Sequence, residues 1–170
     1  MFIGVGITLS AMIGMLYSKK IDAIFNWSIL AVKADGLLPF STILILLPGF
    51  YLVITSWGWG TAWINISLTA LVAMIFLGPI INLRRLKAIL EIAKNEYEAN
   101  ITNPSTELVD KIRDRVLWNS ISTMTMLAFA IVFLMTVKLE ILGSLITIAI
   151  AFVLGFIVPK LLLKTTKHLA

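Results

Sequence analysis

The chain has 170 residues, no cysteine, and 14 Lys+Arg against 9 Asp+Glu, a formal net charge of +5. It is 59% apolar and 14% charged with a mean hydropathy of +0.99, whereas a soluble domain is roughly 45–50% apolar and 25% charged. These figures exclude an ordinary cytosolic domain, a disordered chain, a disulfide scaffold and any thiolate chemistry.

Four runs lack any charged side chain: 1–18, 36–83, 116–137 and 141–159. A helix needs about 20 apolar residues to cross roughly 30 Å of hydrocarbon, so the longest run holds two crossings. The first span, about 1–17, lacks a basic leader and a small-residue cleavage site, and reads as a retained helix rather than a signal peptide. Gly6, Ser10 and Gly14 form a small-residue stripe suited to close helix packing. Residues 18–36 follow as a loop with Lys19, Lys20 and Lys33, and Asp35 is expected at the membrane boundary, paired with Lys33. The second span, 37–56, contains Pro39 and Pro48-Gly49, which predict a kink. Trp57-Gly58-Trp59-Gly60 is the turn into the third span, 61–81, where Asn65 is expected to bond across to another helix.

Residues 82–115 form the one sizeable polar segment. Leu83, Leu86, Ile89, Leu90, Ala93 and Tyr97 recur at helical spacing and predict an amphipathic helix. Asn103 as N-cap and Pro104 at the first helical position predict a second helix, whose Leu108, Ile112 and Val116 run on into the fourth span, 116–137. Arg84, Arg85 and Lys87 lie against the membrane and are candidate contacts for anionic lipid; the competing reading is a hairpin that packs on its own chain. Lys138 and Glu140 bracket a short turn before the fifth span, 141–159. In that span Thr147, Ala151 and Gly155 form a second small-residue face. The fold class expected is all-α: a polytopic membrane helix bundle of about five transmembrane helices with one cytoplasmic helical hairpin, a single domain over 1–170.

With five spans, thirteen of the fourteen cations fall on one side and Lys138 alone on the other. The positive-inside rule then places the N-terminus outside and the C-terminus in the cytoplasm of a multi-pass cell-membrane protein. Trp57, Trp59 and Trp63 mark the outer boundary and Trp27 and Trp118 the inner one. The basic balance is thus an orientation signal, and with both signs mixed in 82–115 nucleic acid is not an expected partner. The expected partners are the bilayer and a second copy or another membrane protein.

Reactive constellations are scarce. The one histidine, His168, stands alone, so haem, zinc and a Ser-His-Asp arrangement lack ligands or a base. Met12, Met15, Met124, Met126 and Met135 offer thioethers for Cu(I), but methionine also fills gaps between helices. No cofactor or metal is expected, and the candidate functional polar residues are Asp35, Asn65 and Lys138.

Gly4, the stretch "KADGLLPFSTILILLPGFYLVITSWGWGTAWI", "LRRLKAI" after the third span and "LMTVK" at the end of the fourth resemble the predicted integral membrane proteins of domain of unknown function family 2269. The resemblance covers most of residues 1–138. That family has no established activity and is distantly similar to four-helix copper-resistance and protoporphyrinogen-oxidase membrane proteins. Those relatives carry a histidine ahead of the glycine that Gly4 matches, and this chain begins after that position. Its fourth span also ends on Lys138-Leu139 where the family has Lys-Pro. Three functions are therefore expected in order: a non-catalytic scaffold or partner subunit, an ion or small-solute transporter or channel, and a haem- or porphyrin-linked membrane redox enzyme.

Overall fold

The computed structural model describes residues 1–167; His168 lies outside them. All regular elements among the described residues are helices: α1 Phe2–Tyr17, α2 Ile21–Leu52, α3 Ala62–Leu77, α4 Arg84–Glu98, α5 Thr106–Ile112, α6 Arg115–Val137 and α7 Ile141–Lys167. Two π-helical segments, Val53–Trp57 and Gly78–Leu83, extend α2 and join α3 to α4. Four helical stretches, Ile21–Ser56, Ala62–Glu98, Thr106–Val137 (α5 and α6 together) and Ile141–Lys164, are long and apolar enough to cross a membrane. The first apolar helix, Ile3–Tyr17, is shorter. Large apolar side chains cover the outside of the bundle, among them Phe40 at 80% exposure and Leu44 and Leu142 at 73% each. An apolar surface on helices of this length suits contact with hydrocarbon, and the all-α membrane bundle expected from the sequence is the architecture found.

Three apolar layers are stacked along the bundle. One end holds Met12 and Met15 of α1, Ile21 and Ile24 of α2, Leu86 and Ile89 of α4, Leu108 and Ile112 of α5, and Leu117 and Trp118 of α6. The middle layer joins Leu71 and Met74 to Met124, Leu127 and Ile131, with Ala151 of α7. The far end holds Val53, Trp63, Ile64, Leu68 and Leu134. The closest helix pairs are α6 with α7 and α1 with α2. Most of the polar segment 82–115 therefore belongs to the first layer: it packs on its own chain.

Four expectations are corrected. Residues 21–36 are not a loop, because Ile21, Ile24, Ser28, Ala31 and Asp35 fall on one helical face and are buried. That face pulls the polar stretch into one 32-residue helix. The helix carries Pro39 and Pro48 without a break. Near Pro39, which removes a backbone donor, the Ser41 hydroxyl lies within hydrogen-bonding range of the Leu37 and Leu38 carbonyls, and the Thr42 hydroxyl donates to that of Leu38. The N-cap of α5 is Ser105, whose Oγ accepts the Leu108 N–H at 3.2 Å, and not Asn103; Pro104 lies outside the helix. α5 does not run on into α6. Arg113-Asp114 interrupts it, and Asp114 starts α6 afresh by accepting the Val116 N–H at 2.9 Å. Trp118 is no interface anchor: it is fully buried and its Nε1–H donates to the Ile112 carbonyl at 2.8 Å, closing that same interruption.

Candidate functional site

Among the described residues the most buried ionisable side chain is Asp35, 3% exposed near the middle of α2. It does not pair with Lys33, which is exposed, because residues two apart on a helix point in different directions. Its polar neighbour is the Asn82 amide. Asn82 sits in the π segment Gly78–Leu83 and is 1% exposed. Its Nδ2–H donates to Met124 Sδ of α6 at 3.2 Å, a weak acceptor. Gly78 packs against the same thioether, where an added Cβ would stand 3.8 Å from the Met124 methyl, an ordinary van der Waals contact. One oxygen of Asp35 and the Oδ1 of Asn82 are buried without a hydrogen-bond partner. Pro79, which has no backbone N–H to donate, falls within this π segment. Asp35, Asn82 and Met124 thus tie α2, the α3–α4 joint and α6 together at one polar point.

The other sequence candidates lie apart. Asn65 makes no bond to another helix: its Nδ2–H donates to the Trp59 carbonyl at 2.8 Å and clips the turn before α3. It is 17 residues from Asn82 along the continuous helix, a rise of about 25 Å, so Asp35 and Asn65 do not share a site. Lys138 ends α6 in the left-handed conformation, φ 54°, with its N–H on the Leu134 carbonyl. It borders one shallow cleft with Gly60, Trp63 and Glu140, which puts the 57–60 and 138–140 turns at the same end of the bundle. Arg84 and Lys87 are exposed; Arg85 is committed to an ion pair with Asp114. Among the described residues no three His, Cys, Asp or Glu side chains come together as a metal site.

A cleft of about 740 Å³ opens between α3 and α7, with α6 as its floor. Its walls are almost wholly apolar, from Ala70, Ala73 and Met74 on α3 to Ile148, Phe152 and Phe156 on α7; Asn119, Ser120 and Thr123 of α6 give it a sparse polar line. The volume falls in the roughly 300–1,000 Å³ range of small-molecule sites. Asn119 also borders a second cleft, lined by Arg113, Arg115, Lys160 and Lys164, at the end that carries α4 and α5.

No protein-family model matches the chain, and comparison with curated proteins and with solved structures found no significant match.

The functional reading consequently rests on the geometry above. Sequence reasoning missed Asn82 and the four-cation cleft, and it singled out Met124 only as a thioether, not as the acceptor for Asn82. Asn82 carried one usable signal, its position four residues after Gly78 in a Gly-Pro-interrupted helix. The cations carried none, because Arg113 and Lys160 meet only through the pairing of α6 with α7.

Proposed function

We propose that the chain is a non-catalytic membrane scaffold or partner subunit that holds an apolar molecule in the groove between α3 and α7. The observation that carries this is the groove itself, an apolar cleft of about 740 Å³ lined by α3, α6 and α7. Its lining suits retention rather than reaction, with aliphatic and aromatic walls and a few amides and hydroxyls. The buried hydroxyls of Thr8, Ser28, Thr42 and Thr125 are spent on carbonyls of their own helices, a structural use. With the bulk of the cations at the α4–α5 end, the same proposal places that end and the C-terminus in the cytoplasm. A reporter fused to the C-terminus should read as cytoplasmic.

The test is site-specific photocrosslinking in membranes, with a photoreactive phenylalanine at Phe152 in the groove and at Leu44 on the open face of α2. A discrete adduct at position 152 and diffuse lipid labelling at 44 is the expected pattern. Identical diffuse labelling at both positions would remove the groove as a binding site.

A second reading, ion or small-solute transport, is favoured by Asp35. An ionisable side chain inside a spanning helix is costly and is commonly functional, and π segments gather at functional sites. Asp35→Asn in a liposome flux assay should abolish flux if this reading holds; unchanged flux would leave Asp35 as a helix tie.

A further inference from the structure

We infer that the groove receives an acyl chain of an anionic glycerophospholipid whose phosphate is held by Arg113, Arg115, Lys160 and Lys164. This rests on the groove being a binding site and names its ligand.

Continuity is the first argument. Asn119 lines both the apolar groove and the cation cleft of about 450 Å³, so one amphiphile can occupy both, its tail along α6 and its head at the end of α6. The second argument is position. Arg115 immediately precedes the charge-free run 116–137 and Lys160 immediately follows the run 141–159. The cations therefore stand where hydrocarbon gives way to headgroups, and an anionic headgroup at that level meets them without leaving the membrane.

Length separates a lipid tail from a partner helix. On α6 the groove extends from Val116 to Leu127, and along the third span from Asn65 of α3 to Ile81 of the π segment that follows it, a helical rise of about 17 and 24 Å respectively. A spanning helix needs about 30 Å, so the groove is too short for one and suits a single chain entering from one leaflet.

Charge balance is the third argument. Among the described residues none of these four cations is ion-paired with a carboxylate. The nearest acid in sequence, Asp114, is held by Arg85 and caps α6. The pairing of Arg85 thus leaves Arg113 and Arg115 available, and it takes Arg85 itself out of lipid binding. Guanidinium groups in pairs are well matched to phosphate oxygens.

The experiment is native mass spectrometry of the purified full chain titrated with phosphatidylglycerol, phosphatidylcholine and inorganic phosphate. One retained phosphatidylglycerol, under activation that strips phosphatidylcholine, is the expected result. Each cation near an anionic headgroup is worth roughly fivefold in affinity, so Arg115→Gln with Lys160→Gln should weaken phosphatidylglycerol retention about 25-fold. Arg84→Gln with Lys87→Gln, equal in charge change but away from the cleft, should leave it unaltered. Ala73→Trp, which fills the groove from α3, should lower retention with the cations intact; circular dichroism of each variant verifies the helical fold. Equal retention of both lipids, or equal effects of the two charge-removing pairs, overturns the assignment, and so does displacement by inorganic phosphate at equal concentration. If the Phe152 adduct persists in that event, the groove is a site for another molecule; if the adduct is missing too, the groove reading has failed with it.

Discussion

Gly155 of α7 lies so close to Thr123 of α6 that a Cβ at position 155 would stand 2.5 Å from the Thr123 Cα. The obstacle is backbone, which cannot rotate away, and this is the seam of the tightest helix pair in the bundle. Gly155→Ala should therefore force α6 and α7 apart, costing about 1–3 kcal/mol as overpacking does. Gly6 meets nothing within 4 Å, and Gly6→Ala should change stability by no more than about 0.5 kcal/mol in either direction. Thermal unfolding in detergent, followed by circular dichroism, compares the two. Equal midpoints would refute the close approach.

Asp114 has two roles that substitution can separate. It accepts the Val116 N–H and it pairs with Arg85, whose side chain is 41% exposed. A pair this open contributes about 0–1 kcal/mol, whereas an N-cap is worth about 0.5–2 kcal/mol. Asp114→Asn keeps a capping oxygen and should cost little, as should Arg85→Gln. Asp114→Ala should cost visibly more than either, and urea unfolding of the three variants ranks them.

The α4–α5 hairpin hangs on Glu96. It is 8% exposed, and its carboxylate accepts both the backbone N–H and the hydroxyl of Ser105. Phe25 of α2 stacks on Tyr97 at 4.8 Å beside it. Glu96→Ala leaves both Ser105 donors unmatched and should destabilise the hairpin by about 1–3 kcal/mol. The expected readout is faster proteolysis within 99–104 and unchanged cleavage at the 57–60 turn. Uniform acceleration at both places would mean that Glu96 supports the whole bundle.

Asn82→Ala removes the neighbour of Asp35 and the donor to Met124 together. A carboxyl left without a partner in the interior costs about 1–3 kcal/mol or more. Asp35→Ala with Asn82→Ala should recover part of that loss, because both members of the polar point are then gone. Strictly additive effects in this double-mutant cycle would show that the two side chains do not interact.

Which of these features were legible beforehand follows from how each is encoded. The spans of α3, α6 and α7 were readable because long stretches without charge have no soluble alternative, and Gly58 and Gly60 marked the turn between two of them. The first half of α2 was not, because Lys33, Asp35 and Asn26 masked a buried face built from small and β-branched residues. Asp35 was singled out for its chemical type, but its depth depended on Asn82, 47 positions away, and nothing local indicated that pairing. Asn65 was misread for the opposite reason: its partner is a backbone carbonyl six residues upstream, and amides in helices do not announce whether they bond locally or across. The cation cleft is purely tertiary, assembled by the α6–α7 seam.

The widened turns at Gly78–Leu83 have a consequence for how the chain tolerates insertion and loss. The inward positions run Met74, Gly78, Asn82, Leu86, three successive steps of four that an ordinary helix at 3.6 residues per turn would let drift around its axis. The bulge winds in one surplus residue, so that the stripes before and after it stay in phase. Removing a single residue inside it would restore a regular helix with both stripes still facing inward, whereas the same loss within α4 would swing everything beyond it by about 100°. What the surplus residue adds to the molecule is therefore local: the inward seat of Asn82 opposite Asp35, a polar fastening obtained without re-aiming the rod on either side.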